Sequence, residues 1–207
     1  MQSPVATDGQ VNLKRILDAG ERIAVAVLYG FLVYRFFGTL LDKPANVLIV
    51  LSEGLIAAMV LFRRPTDDIS LRPIDWATGF LGTALPMLFH PTGAGWNGAV
   101  ILMAGGLLIS LGAKLSLRRS FGIVAANRGV KSTGLYAAVR HPMYLGYLIT
   151  YIGTLLLNPS VWNLILVVLW FGFEIIRIHA EERVLMRDEA YAAHAQKVRF
   201  RLIPGVW

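Results

Sequence analysis

The chain has no cysteine, which excludes disulfide staples, a thiol nucleophile and any thiolate metal site. Charge is also scarce: 16% of the 207 residues are Asp, Glu, Lys or Arg, against about 25% in soluble domains. Apolar residues make up 56% of the sequence, a ratio that excludes an ordinary soluble domain. Acidic residues are the scarcer sign, 13 against 20 basic, which leaves a net charge of +7. The basic residues sit in short blocks between apolar runs, not on one continuous face. Membrane lipid headgroups, not nucleic acid, are therefore the expected partner. No strand alternation persists long enough for a barrel, and no internal repeat of roughly 20–50 residues is visible.

What is present is a series of apolar runs. A helix crossing a bilayer core needs about 20 apolar residues, with a range of roughly 17–25. Six stretches qualify, some at the short end: Ile23–Leu41, Ala45–Phe62, Ile74–His90, Trp96–Leu117, Pro142–Leu157 and Val161–Ile178. The first is longer than the core of a signal peptide and ends in Arg35-Phe36-Phe37, not in a small-residue cleavage site, so it reads as a retained span. The last two are separated only by Asn158-Pro159-Ser160 and are expected to form a tight helical hairpin.

Basic residues give the expected orientation. Three lie before the first span (Lys14, Arg15, Arg22) and three between the second and third (Arg63, Arg64, Arg72). Five lie between the fourth and fifth (Arg118, Arg119, Arg128, Lys131, Arg140), and six follow from Arg177 onward. The opposite loops hold only Lys43. The expectation is an all-α, multi-pass integral membrane protein with about six spans and both termini in the cytoplasm. Its parts are a cytoplasmic N-terminal segment 1–22, a four-helix scaffold 23–117, and a core 118–207 whose two large polar segments share the cytoplasmic face.

Several suggestive features have plainer readings. Gly93-Ala94-Gly95-Trp96-Asn97-Gly98 matches G-x-G-x-x-G, but no strand precedes it and it falls on the expected outer face, so it reads as a turn. His90, His141, His179 and His194 lack metal-ligand spacing, and no metal site is expected. Arg35 and Glu53 fall inside spans, where an ionisable group costs about 2.5–3.5 kcal/mol at the bilayer centre. Pairing with each other, or snorkelling of Arg35, is the plainest account. Trp162, Trp170, Tyr147 and Tyr151 read as interfacial anchors and packing. Gly106-x-x-x-Ser110 suits close helix packing, within the chain or between copies.

Two segments point to chemistry. Gly134-Leu135-Tyr136-Ala137-Ala138-Val139-Arg140-His141-Pro142-Met143-Tyr144-Leu145-Gly146 places a proline in the first turn of the fifth span. Arg140 and His141 then sit at a helix N-terminus, which favours an anion. In the other segment Glu174, Arg177, Ile178, Glu181 and Leu185 share one helical face. The hairpin brings Arg140-His141 beside Glu181-Glu182.

Together with the terminal Arg199-Phe200-Arg201-Leu202-Ile203-Pro204-Gly205-Val206-Trp207, these segments resemble the isoprenylcysteine carboxyl methyltransferase family. That family is related to membrane phospholipid methyltransferases. The shared elements are G-x-Y-x-x-x-R-H-P-x-Y-x-G, then R-I-x-x-E-E-x-x-L, then a tyrosine near a terminal I-P, over about Ser120 to Trp207. The resemblance implies an S-adenosylmethionine-dependent methyltransferase, with a C-terminal helix capping the cofactor pocket. Carried over, Tyr136, Arg140, His141, Tyr144, Glu181 and Glu182 bind the cofactor, while Glu182, Arg199 and Arg201 serve catalysis and closure. The acceptor it implies is lipidic: a prenylated cysteine carboxylate, a lipid amine or a related small hydrophobic molecule. One departure is visible: Arg187-Asp188-Glu189-Ala190-Tyr191 is short, and His194 replaces a second tyrosine.

Two other readings compete. Sterol-type membrane reductases using NADPH share an R-H-P-x-Y-x-G element but are usually larger. A non-enzymatic membrane scaffold would treat both segments as interfacial anchoring.

Overall fold

The structure, a computed structural model, describes residues 8–37 and 46–207. The described residues form seven α-helices: α1 (Asp8–Phe37), α2 (Asn46–Leu61), α3 (Pro73–Ala84), α4 (Ala99–Leu117), α5 (Pro142–Leu157), α6 (Val161–Leu185) and α7 (Glu189–Lys197). The first six overlie the six apolar stretches. Two helices, Ala99–Ser120 and Val161–Leu185, are long and apolar enough to cross a membrane, and α5 is a shorter apolar helix. The side chains of Arg35 and Glu53, and all of Lys43, lie outside the described residues.

Large apolar side chains cover the outer faces of the bundle. On α1, Ile23, Val27 and Phe31 repeat every four residues and all are exposed; on α4, Ile101, Leu108 and Leu115 recur every seven. Apolar faces of this extent are unfavourable in water and match a hydrocarbon surrounding. The chain is a membrane protein.

Two helices depart from their expected lengths. The stretch 74–90 is not one helix: α3 ends at Ala84 and passes into a 3-10 turn over Leu85–Leu88. Pro86 is the cause, because it has no N–H to donate and its ring clashes with the preceding turn. Helix α1 begins at Asp8, well inside the N-terminal segment 1–22 that was expected to precede the first span.

Helices α4 and α5 pack through small residues. A Cβ on Gly106 would lie 2.5 Å from the Thr150 backbone nitrogen, and one on Gly146 would lie 2.5 Å from that of Ser110. The Gly106-x-x-x-Ser110 pattern thus serves contact within the chain. At Gly146 the two nearest atoms, Ser110 N at 2.5 Å and Gly106 O at 2.7 Å, are backbone and cannot rotate away. Gly146→Val is expected to cost about 3 kcal/mol of stability, read as a lowered melting temperature in detergent.

The connection Asn158-Pro159-Ser160 does reverse the chain between α5 and α6. Ser160 caps α6 by accepting from Asn163 N at 3.0 Å. Buried Asn163 donates to His90 O at 2.9 Å and Asn158 O at 2.7 Å, and accepts from His90 N at 3.0 Å. The Gly93–Gly98 run lies against this turn, with Gly95 N donating to Leu157 O at 3.1 Å and Trp96 N to Leu156 O at 3.0 Å. Despite the short turn, α5 packs mainly on α4, and α6 mainly on α3. Aromatic rings hold the hairpin pair apart, as where Tyr151 and Trp170 meet edge to face at 4.4 Å. The opening between their polar ends is where the site forms.

Candidate active site

A cleft with about 700 Å³ of empty space, part of it open to solvent, lies between the polar ends of α4, α5 and α6. One wall is the irregular segment from Gly122 to Lys131, and opposite it stand the first turn of α5, Glu181 and Leu185 of α6, and Tyr191 of α7. Tyr136, Arg140, His141, Tyr144 and Glu181 all line this one space; Glu182, Arg199 and Arg201 do not.

Pro142 starts α5 and leaves His141 as its N-cap residue, with no side chain capping the helix. The free N–H groups of that first turn therefore face the cleft end, where an anion is favoured. The backbone just before is tied to the C-terminal segment: Arg140 N donates to Phe200 O at 3.0 Å and His141 N to Arg201 O at 2.8 Å. These bonds dock residues 199–207 alongside the site. Trp207 O in turn accepts from Leu202 N at 2.9 Å, closing the terminal loop on itself.

Glu182 holds the join together. Its Oε1 lies 2.9 Å from Arg140 Nη1 and 3.3 Å from His141 Nε2, and its Oε2 accepts from Arg201 Nε at 2.7 Å. Both oxygens are taken and the side chain is buried, so this carboxylate ties elements together and does not face the cleft. Arg201 also stacks over the Trp207 ring. Arg199 contributes its carbonyl, which accepts from Arg140 Nη2 at 3.3 Å, while its side chain is exposed.

Glu181 behaves differently. It lines the cleft, its side chain is 21% exposed, and its Oε1 accepts a short hydrogen bond from the Tyr144 hydroxyl. Its Oε2 lies 3.7 Å from His141 Nδ1. One turn further back, Arg177 binds both oxygens of Glu174 at 2.9 and 3.0 Å and reaches Ile123 O at 3.2 Å. Its guanidinium sits 5.3 Å from the Tyr144 ring centre, bracing that ring from behind. The charged face of α6 thus runs from a buried pair to an open carboxylate.

Burial, and then the negative charge of Glu181, push the Tyr136 phenol well above its ordinary range. Burial, and then Glu182, do the same at Tyr191. Both hydroxyls stay protonated at neutral pH. The Tyr191 hydroxyl is buried and has no hydrogen-bond partner among the described residues, an unsatisfied donor in the cleft wall.

His194, one turn further along α7, is pushed below its ordinary value of 6.5 by burial first, then by Arg140 and His141. Its contribution to stability is therefore full above about pH 6.5 and is lost as pH falls through its lower folded-state value. The wild type should lose melting temperature between pH 7.5 and pH 5.5, and His194→Phe should lose less over the same interval.

Sequence reasoning missed four participants. In the sequence Tyr191 marks only a shared motif and a shortened cap, and Lys131 only the orientation, yet both line the cleft. Asp18 and Glu21 belong to none of the motifs. Their spacing puts them on one face of α1, which is the signal that was available. Arg63 and Arg128, counted as lipid-facing charges, are buried against these two carboxylates.

Residues 97–193 match the phospholipid methyltransferase family. The match spans just under half of the chain and covers α4, α5, α6 and every residue that lines the cleft. This part of the protein is thus similar to the phospholipid methyltransferases. No curated protein matches the chain. Among solved structures it is similar to a eukaryotic intramembrane Ras methyltransferase, isoprenylcysteine carboxyl methyltransferase, at 18% identity with a TM-score of 0.48. That likeness covers 96% of this chain and 94% of the other.

Proposed function

We propose that this protein is a six-span, S-adenosylmethionine-dependent methyltransferase with both termini in the cytoplasm, acting on the headgroup amine of a membrane lipid. The observation that carries the reading is Glu181: a carboxylate facing a solvent-connected cleft, inside the segment that matches the phospholipid methyltransferase family.

The donor set fits the cofactor. S-adenosylmethionine has a carboxylate, an apolar base, ribose hydroxyls and a sulfonium cation. Lys131, Arg140, His141 and the open first turn of α5 suit the carboxylate. Leu117, Val124, Met143 and Leu185 offer apolar surface for the base. The orphan Tyr191 hydroxyl lacks an acceptor that a polar ligand would supply. When bound, the cofactor supplies an electrophilic methyl group. The chain must then exclude water, align the acceptor at about 3–3.5 Å, and take up a proton when the acceptor is an amine. Tyr136, Tyr144 and Glu181 face the bound ligands; Glu182, Arg201 and the Arg199 carbonyl hold the closing segment in place.

A prenylated cysteine carboxylate is the alternative acceptor. It differs in needing no proton acceptor, so the role of Glu181 separates the two. The test of the cofactor is calorimetry with S-adenosylhomocysteine on the detergent-purified protein, with NADPH in parallel and His141→Ala as the control. Micromolar binding of S-adenosylhomocysteine, lost in the variant, is expected. Binding of NADPH alone would move the protein to the reductases, and binding of neither would leave a membrane scaffold.

A further inference from the structure

The family match begins at residue 97, yet one wall of the cleft is held from α1, far outside it. The segment Phe121–Arg128 has no helix, and among the described residues its one strand-like contact is the bridge between Ile69 and Ala126. Its backbone groups must therefore find partners on other elements. Glu21 supplies them: its Oε1 accepts from two consecutive amides, Ile123 N at 2.7 Å and Val124 N at 3.0 Å. Consecutive N–H groups converging on one oxygen form a small anion-binding nest, occupied here by the protein's own carboxylate.

The same carboxylate is locked in turn. Glu21 Oε2 lies 2.9 Å from Arg128 Nη2 and 3.0 Å from Arg63 Nη2, and Asp18 Oδ1 lies 2.7 and 2.8 Å from the same two atoms. All four side chains are at most 3% exposed, two anions against two cations. Each of the four charges faces at least two of the opposite sign, Asp18 also meeting Arg22 Nη2 at 3.8 Å, the arrangement in which buried ions hold geometry. Both cations and anions are fixed, so the wall has little freedom to shift.

The consequence reaches the cleft directly. Gly122, Val124 and Arg128 line it. Gly122 is there because the Arg128 guanidinium passes so close that a Cβ would lie 2.3 Å from Nη1. On the next residue, Ile123 O accepts from Arg177, whose guanidinium braces Tyr144. One carboxylate on α1 thus fixes both the wall and, through Ile123, the backing of Tyr144.

We propose that Glu21, with Asp18 beside it, is a positioning residue for the cofactor site: it shapes the Gly122–Arg128 wall without touching the ligand. This rests on the reading of the cleft as the S-adenosylmethionine site. The N-terminal helix is then part of the methyltransferase machinery and more than a membrane anchor.

The test uses the full chain in detergent as wild type, Glu21→Ala, Glu21→Gln and Asn163→Ala. The last disrupts a buried polar cluster away from the cleft and controls for lost stability. S-adenosylhomocysteine affinity is measured by calorimetry well below each melting temperature, and amide exchange of residues 121–126 by mass spectrometry. Glu21→Ala should weaken binding about tenfold or more, the scale of residues that orient a ligand shell, and speed exchange at Ile123 and Val124. Glu21→Gln keeps an oxygen for both amides and should fall between it and wild type. Asn163→Ala should lower the melting temperature with affinity unchanged. Wild-type affinity in Glu21→Ala, or equal weakening in Asn163→Ala, would overturn the assignment and leave the cofactor reading standing. A wild type that binds no S-adenosylhomocysteine would overturn both.

Discussion

Glu182→Ala is expected to abolish S-adenosylhomocysteine binding and to cost about 3–5 kcal/mol of stability, the range for removing one partner of a buried ion pair. The magnitude follows from what is left behind. Arg140 and His141 are 8% and 4% exposed, and both lose their carboxylate together with Arg201. Alanine offers no acceptor, and a buried guanidinium beside a protonatable imidazole is then unbalanced. The binding loss has a separate cause. The backbone bonds from Arg140 N and His141 N hold Phe200 and Arg201 alongside the site, and without Glu182 the Arg201 side chain keeps its contact with the Trp207 ring, which belongs to the same terminal segment and anchors it to nothing outside. Residues 199–207 should detach, which limited proteolysis would detect as new cleavage after Arg199 or Arg201. Glu182→Gln keeps an acceptor for Arg201 and should retain more stability than alanine while still binding poorly. A Glu182→Ala protein that melts and binds like wild type would remove the carboxylate from the account of the site.

Parts of this arrangement were legible in the sequence, and the reasons are local. Pro142 announces the start of α5, because a residue without an N–H fits the first helical turn, and Asn158-Pro159-Ser160 announces the reversal into α6. Those two signals place Arg140-His141 near Glu181-Glu182 by geometry alone. What was not legible is which carboxylate faces where. Adjacent residues on a helix point about 100° apart, so one of the pair had to turn from the cleft, and the pattern cannot say which. The decision comes from Arg201, which is 19 residues away and captures Glu182.

The N-terminal half shows the same limit more strongly. Positive residues near apolar runs normally mark the cytoplasmic side, and Arg63 and Arg128 fit that pattern when counted. Their partners Asp18 and Glu21 lie 45 and 107 residues away for the pairs Asp18–Arg63 and Glu21–Arg128. No periodicity encodes a contact at that separation. The break in α3 was readable in principle, since Pro86 sits in plain view within the stretch, but a run defined by hydropathy passes over a proline that polarity does not mark.

Glu181→Gln is expected to lower kcat by about 10²–10⁴-fold on vesicles containing a headgroup amine, the range for losing a general base, while S-adenosylhomocysteine affinity changes little. An amine that gains a methyl group must lose a proton to remain a neutral acceptor for the next. The proton's destination on the proposed reading is Glu181 Oε2, the oxygen not engaged by the Tyr144 hydroxyl. Glu182 cannot take that part, because both its oxygens are committed to Arg140, His141 and Arg201. Glutamine at position 181 preserves size and the bond from Tyr144, so ligand binding survives and the loss appears in kcat, not in KM. A carboxylate acceptor has no proton to give up, and turnover of a prenylated cysteine by the variant would then stay near wild type. Full activity of Glu181→Gln on an amine lipid would mean that solvent takes the proton, and the open mouth of the cleft would be the route.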